Sequence, residues 1–205
     1  MAFSVSDGDA ISNVQSRVID VNAINDAPVL STIEVAPAIH LENALPTGIT
    51  GNLSVDDVDD TQIESATVSI SNNYIAGEDQ LTFTPQAGIN GTFANGTLTL
   101  TGSASLTDYE AVIHSVTYNN TSANPSGATR TIEITVNDGD TDSISLSRDV
   151  EIIPVNDAPV QSGIETLPLV YAENTGPVVV SNTLSLSDID AVSYTHLTLP
   201  TILRV

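Results

Sequence analysis

The side chains in this sequence that could do chemistry are carboxylates set in short, spaced groups. They are Glu42 in "LENA", Asp57 and Asp59 in "DDVDD", Asp108 and Glu110 in "TDYEA", Asp138 in "VNDGD", and Asp188 and Asp190 in "SDIDA". Two more groups, Asn25-Asp26 and Asn156-Asp157, each open the string Asn-Asp-Ala-Pro-Val. Oxygen-bearing residues of this kind suit a hard cation such as calcium, which takes roughly 6 to 8 oxygen ligands. No single loop here supplies that many, so a bound ion would have to draw on several. In the repeated string, Asn and Asp present oxygens at a bend, while Pro fixes φ and keeps the residue before it out of the helical region.

Each group also has a plain structural reading. Thr107 and Glu110 stand at capping-box spacing, so Glu110 could serve a helix start. Asn-Asp-Ala-Pro could be only a turn, "DDVDD" a solvated loop, and Asp138 a turn residue. Self-similarity within the chain favours the outer pair of "DDVDD". In the second copy Asp56 and Asp60 become Ser187 and Ala191, whereas Asp57 and Asp59 remain aspartate at 188 and 190.

Enzymatic readings fare poorly on composition. A paired-carboxylate glycosidase site needs two acids about 5 to 9.5 Å apart in a cleft, usually with aromatic platforms. Aromatic residues are 4% of the chain, and Trp and Cys are absent, which excludes a thiol nucleophile. Neither G-x-S-x-G nor H-E-x-x-H occurs. His40 and His114 stand alone and are expected to pack, while Arg17 and Arg148 are expected to form ion pairs. A formal charge of −22, from 26 acidic residues against 4 basic ones, repels phosphate. Nucleic acid and anionic membrane surfaces are therefore poor partners, and no apolar run approaches the roughly 20 residues of a span.

The carboxylates recur because the chain does. A shift of 131 positions lays Phe3 to Leu30 on Ile134 to Gln161, and Ile33 to Asp59 on Ile164 to Asp190, without a gap. That period divides the chain into the end of one module (1–26), a complete module (27–157) and the start of a third (158–191). Residues 192–205 break the register and are expected to be foreign to the array. Within the complete module "ATVSIS", "QLTFTP", "GTLTLTG", "HSVTYNN", "TRTIEITVND" and "SRDVEIIPV" alternate apolar and polar residues between turn signals. Seven or so such strands predict an all-β, Greek-key, immunoglobulin-like sandwich. Ser105 to Ser115 departs from that rule and predicts one or two helical turns.

Glu-Asn, D-x-D, D-x-E, V-x-D-G and a closing N-D-x-P, in that order, resemble the cadherin domain, and most closely the cadherin-like modules strung along large bacterial surface adhesins. The resemblance covers Phe3 to Ala191. It implies calcium sites where successive modules meet. At the downstream seam it would gather Glu42, Asp108, Glu110, Asn156, Asp157, Asp188 and Asp190. At the upstream seam it would gather Asn25, Asp26, Asp57, Asp59 and Asp138. Animal cadherin linkers carry an Asp before Asn-Asp and an Asn after it, where this chain has Pro154 or Ala23 and Ala158 or Ala27. That difference implies one or two ions per seam. The expected role is a non-enzymatic, extracellular, calcium-stiffened spacer whose partners are adjacent repeats of its own chain. The alternative is a module that binds polysaccharide or a like module.

Overall fold

The computed structural model describes residues 1–190, so the stretch 192–205 lies outside the described residues. In chain order the elements are β1 (Ala2–Phe3), β2 (Gln15–Ser16), β3 (Val29–Ser31), β4 (Ala38–Leu41), β5 (Thr47–Gly48), β6 (Ser54–Asp56), β7 (Gln62–Asn72), β8 (Asp79–Thr82), β9 (Asn90–Ala94), β10 (Thr97–Ser105), α1 (Leu106–His114), β11 (Thr117–Asn120), β12 (Arg130–Asn137), β13 (Leu146–Ile153), β14 (Val160–Ser162) and β15 (Ser185–Ser187). The fold is an all-β sandwich carrying one short helix.

One large sheet runs β4-β13-β12-β7-β10-β9; β5-β11-β8 and β3-β6 form smaller ones. A single apolar core joins them. Ala66, Val68 and Ile70 of β7, Leu98 and Leu100 of β10, and Ile132, Ile134 and Val136 of β12 meet Leu30, Val55, Leu81 and Tyr118 from the smaller sheets. The period-2 alternation puts these residues on the inner face, and each fully buried Val, Leu or Ile contributes about 1.5–3 kcal/mol.

The same periodicity brings Arg130 inward at the start of β12, where it is fully buried beside Ile132. Such a charge survives there only if it is paired. Its Nε lies 3.1 Å from Asp79 Oδ2. Tyr118 Oη and Asn120 Nδ2 donate to the other Asp79 oxygen at 2.5 and 2.7 Å. His40, also fully buried, faces Tyr118 edge to face with ring centroids 5.2 Å apart. Burial holds the His40 imidazole below its ordinary pKa, although the Asp79 charge works the other way. His114 ends α1, its Nε2 2.8 Å from the Leu53 carbonyl oxygen. Arg148 forms the expected ion pair, with Glu34 at 3.4 Å.

Strand directions assign the acidic groups to opposite ends of the sandwich. β13 and β4 run parallel and finish together at Ile153 and Leu41, so Glu42 emerges where the chain leaves toward Asn156. β12 runs against β13 and β7 against β12, which carries Asn137 and Ser65 to the far end. Gln62 pairs with Ser105 there, so α1 starts at that far end. The 8 residues of β12 separate the two ends, roughly 25 Å at strand rise.

Candidate metal centres

The upstream seam closes around the first Asn-Asp pair. Asn25 Nδ2 donates to Asp138 Oδ2 at 3.0 Å, and the Asp26 N–H donates to Asp59 at 3.3 Å. Asp57 Oδ1 accepts the N–H groups of Asp59 and Asp60 at 3.1 and 3.0 Å, which curls the D-x-D segment into a turn. The other oxygen of Asp57 is buried with no partner. Oxygens from Asp57, Asp59 and Asp60 lie within 4.8 Å of one another.

Asp60 was set aside on sequence because its counterpart is Ala191, yet it joins this cluster. The signal available was its position beside Asp59 in "DDVDD". Its pKa is raised by partial burial and then by the charges of Asp57, Asp59, Asp138 and Asp140. Asp138 moves the opposite way. Partial burial would raise it, but donors from the Asn25 side chain and the N–H groups of Thr141 and Asp140 outweigh that and hold it low. It also serves the turn, its Oδ1 accepting the N–H groups of Asp140 and Thr141 at 2.8 and 2.7 Å.

The downstream seam repeats the frame. The Asp157 N–H donates to Asp190 Oδ2 at 2.8 Å, as Asp26 does to Asp59. The Asp190 N–H donates to Asp188 Oδ1 at 3.3 Å. Asn156 Nδ2 caps the Asp157 carbonyl at 2.7 Å, and Asn25 caps Asp26 in the same way at 3.0 Å. Glu42 then joins from the sandwich above. Its Oε2 accepts the Val155 N–H at 2.8 Å, two residues before Asp157. Glu42 is only 7% exposed, and its Oε1 has no partner. Asp190 Oδ1 is likewise buried and unpartnered.

Asp108 and Glu110 require a correction. They lie at the end of the sandwich away from Glu42, so they cannot join the downstream seam. Their side chains are already engaged. Ser105, not Thr107, is the N-cap of α1, accepting the Asp108 N–H at 3.2 Å and donating its hydroxyl to Asp108 Oδ2 at 2.6 Å. Glu110 Oε1 accepts the Val55 N–H at 2.8 Å, tying α1 to β6 just before Asp57. Both residues belong to the scaffold behind the upstream cluster.

The donor sets fit a hard cation. An ionised carboxylate can only accept, so a buried carboxylate oxygen without a donor is costly unless a cation meets it. Among the described residues four buried side-chain oxygens lack a partner: Glu42 Oε1, Asp57 Oδ2, Glu78 Oε2 and Asp190 Oδ1. Three of the four belong to residues singled out from sequence as ligands, distributed over both seams. Neither protein-family models nor curated proteins yield a match to this chain.

Proposed function

We propose that the chain is a run of tandem cadherin-like, Greek-key repeats whose seams bind calcium, and that it acts as a stiffened spacer in an extracellular adhesin. The observation carrying this reading is the placement of the unpartnered buried oxygens on Glu42, Asp57 and Asp190. Oxygen-only donors, a surplus of carboxylates and the absence of cysteine favour calcium over a softer metal.

At the downstream seam Glu42, Asp157, Asp188 and Asp190, with carbonyl oxygens of the linker, would hold the ion. At the upstream seam Asp26, Asp57, Asp59, Asp60 and Asp138 would do so. The protein's own part is to hold the carboxylates in place. Linker N–H groups fix one oxygen of Glu42 and Asp190, which leaves the other free to turn toward a cation. Without an ion the carboxylates repel one another across the seam; with one, the same charges become ligands. At millimolar calcium and a dissociation constant near 0.1 mM, each site contributes on the order of 1.4 kcal/mol.

This reading gives the chain no reaction to catalyse. Tyr109 and Tyr118 are spent in the core, which leaves few rings for sugar to stack on and favours the spacer over a polysaccharide-binding module. Calorimetric titration of the chain with calcium chloride tests the proposal. Heat of binding, lost on Asp157→Ala together with Asp57→Ala, is expected; a titration with no heat would overturn it.

A further inference from the structure

The loop between β11 and β12, residues 121–129, links a buried ion pair to the neighbouring segment of chain. Arg130 anchors its base. Nε and Nη2 reach Asp79 at 3.1 and 3.2 Å, while Nη1 donates to the carbonyls of Ser126 and Ala128 at 2.8 and 2.5 Å. At the other end of the loop, the Thr121 N–H donates to the Glu78 carbonyl at 3.0 Å. Asn120 Oδ1 accepts the Ser122 N–H at 2.9 Å, and Ser122 Oγ accepts the Asn124 N–H at 3.2 Å. Gly127 brings the loop against the linker, where a Cβ would sit 3.6 Å from Pro154 Cδ. From this braced position Asn124 Nδ2 donates to the Ile189 carbonyl at 2.8 Å. Ile189 stands between Asp188 and Asp190.

We infer that Asn124 is a clasp between consecutive repeats, holding the D-x-D loop of the following one over the linker whether or not an ion is bound. This interaction surface pairs the braced amide of one repeat with a backbone carbonyl of the next. The inference rests on the tandem-repeat reading, but the bond it names needs no metal. A neutral amide and a carbonyl do not repel each other when calcium is removed, whereas the carboxylates around them do. The clasp therefore keeps Asp188 and Asp190 near Glu42 in the ion-free chain, so calcium meets ligands already ordered. Asp79 and Arg130 serve as the anchor, since the guanidinium fixes the loop's carbonyls from inside the core.

Because the chain has no cysteine, spin labels can be placed cleanly at Gln80→Cys and Gln161→Cys, both exposed. The full chain is measured by pulsed electron resonance in chelator and in calcium. A narrow distance distribution is expected in chelator, and Asn124→Ala should broaden it there. Asn124→Asp, which removes the donor and adds a like charge, should broaden it further. In calorimetry the calcium affinity of Asn124→Ala should fall about fivefold, the effect of losing one neutral hydrogen bond. Equal widths for wild type and Asn124→Ala in chelator would overturn the clasp. Broadening by Asn124→Ala in a chain that shows no calcium heat would uphold the clasp and reject the calcium sites.

Discussion

The two linkers carry the same five residues and share the bond from the Asp N–H to the D-x-D loop, yet they are held differently. At the upstream linker, Asn25 meets Asp138 and the Thr141 hydroxyl and Asp26 meets Asp59, which clusters with Asp57 and Asp60, all on turns exposed to solvent or half-buried. At the downstream linker, Val155 and Asp157 are gripped from both sides, by the buried Glu42 above and by Asp190 below. The Asn124 amide adds a neutral contact. The linker string sets the backbone geometry, and what surrounds it decides how much the joint depends on charge. If the seams bind calcium as proposed, the upstream cluster depends on ions, while the downstream joint combines an ionic part with a part that ions do not touch.

The largest expected effect removes the anchor of the downstream joint. Arg130→Met leaves Asp79 buried and uncompensated, at a cost of about 3–5 kcal/mol. Urea unfolding should report that loss, with the Ser126 and Ala128 carbonyls released as well. Asp79→Asn together with Arg130→Met should recover much of the stability, because the uncompensated charge is then gone. If the double variant is no more stable than Arg130→Met alone, repulsion from an unpaired Asp79 is not the cause.

Calcium should separate the linkers next. With calcium against chelator, the wild-type melting midpoint is expected to rise by several degrees per site. Asp157→Ala should remove the downstream share and Asp26→Ala the upstream share, each leaving the other. Glu42→Gln should change sign with conditions. In chelator it removes a buried charge whose Oε1 has no donor, for a gain of about 1 kcal/mol. In calcium it deletes a ligand and lowers affinity. A variant that loses stability in both conditions would show that Glu42 is only a structural brace.

Acidity acts on two groups with opposite sign. His40 titrates lower in the folded chain than its ordinary value of 6.5. Below that value the unfolded state takes up the proton first, so stability falls as pH drops from 6.5 toward the folded pKa. Asp60 titrates higher than its ordinary 3.8. The folded, ion-free chain then binds that proton first, and stability rises as pH falls from the raised value toward 3.8. Melts in chelator should show the first trend flattened by His40→Gln and the second abolished by Asp60→Asn. Calcium affinity should fall throughout the Asp60 window.

Much of this was legible in the sequence, and the exceptions have physical causes. The 131-residue period recurs in three dimensions: Ala2 pairs with Ser16 as Glu133 does with Ser147, and Leu30 faces Val55 as Gln161 faces Leu186. Period-2 alternation located the main strands, because one face of each must be buried. Burial itself was less legible, since it depends on having neighbours. Val136 is fully buried, while its counterpart Val5 is 73% exposed. Alternation places Arg130 in register with Ile132 and Ile134, but a buried arginine needs a partner and that partner, Asp79, is 51 residues away, where no local pattern points to it. The order of acidic motifs located both clusters but assigned D-x-E to the wrong end. Strand direction decides which end a side chain occupies, and motif order along the chain does not report it.

The smallest expected effect tests that reassignment. If Asp108 belongs to a helix cap, Ser105→Ala and Asp108→Ala should each cost about 1 kcal/mol, the usual loss for an N-cap contact. Their combined cost should fall short of the sum, because both remove the bond from the Ser105 hydroxyl to the Asp108 carboxylate. Neither should change the heat or affinity of calcium binding at the downstream linker, since α1 begins at the far end of β12 from Glu42. Glu110→Gln should be milder still, because a side-chain amide oxygen can accept the Val55 N–H as the carboxylate does. A drop in downstream calcium affinity on Asp108→Ala would return that residue to the ligand set and contradict the strand directions that place it elsewhere.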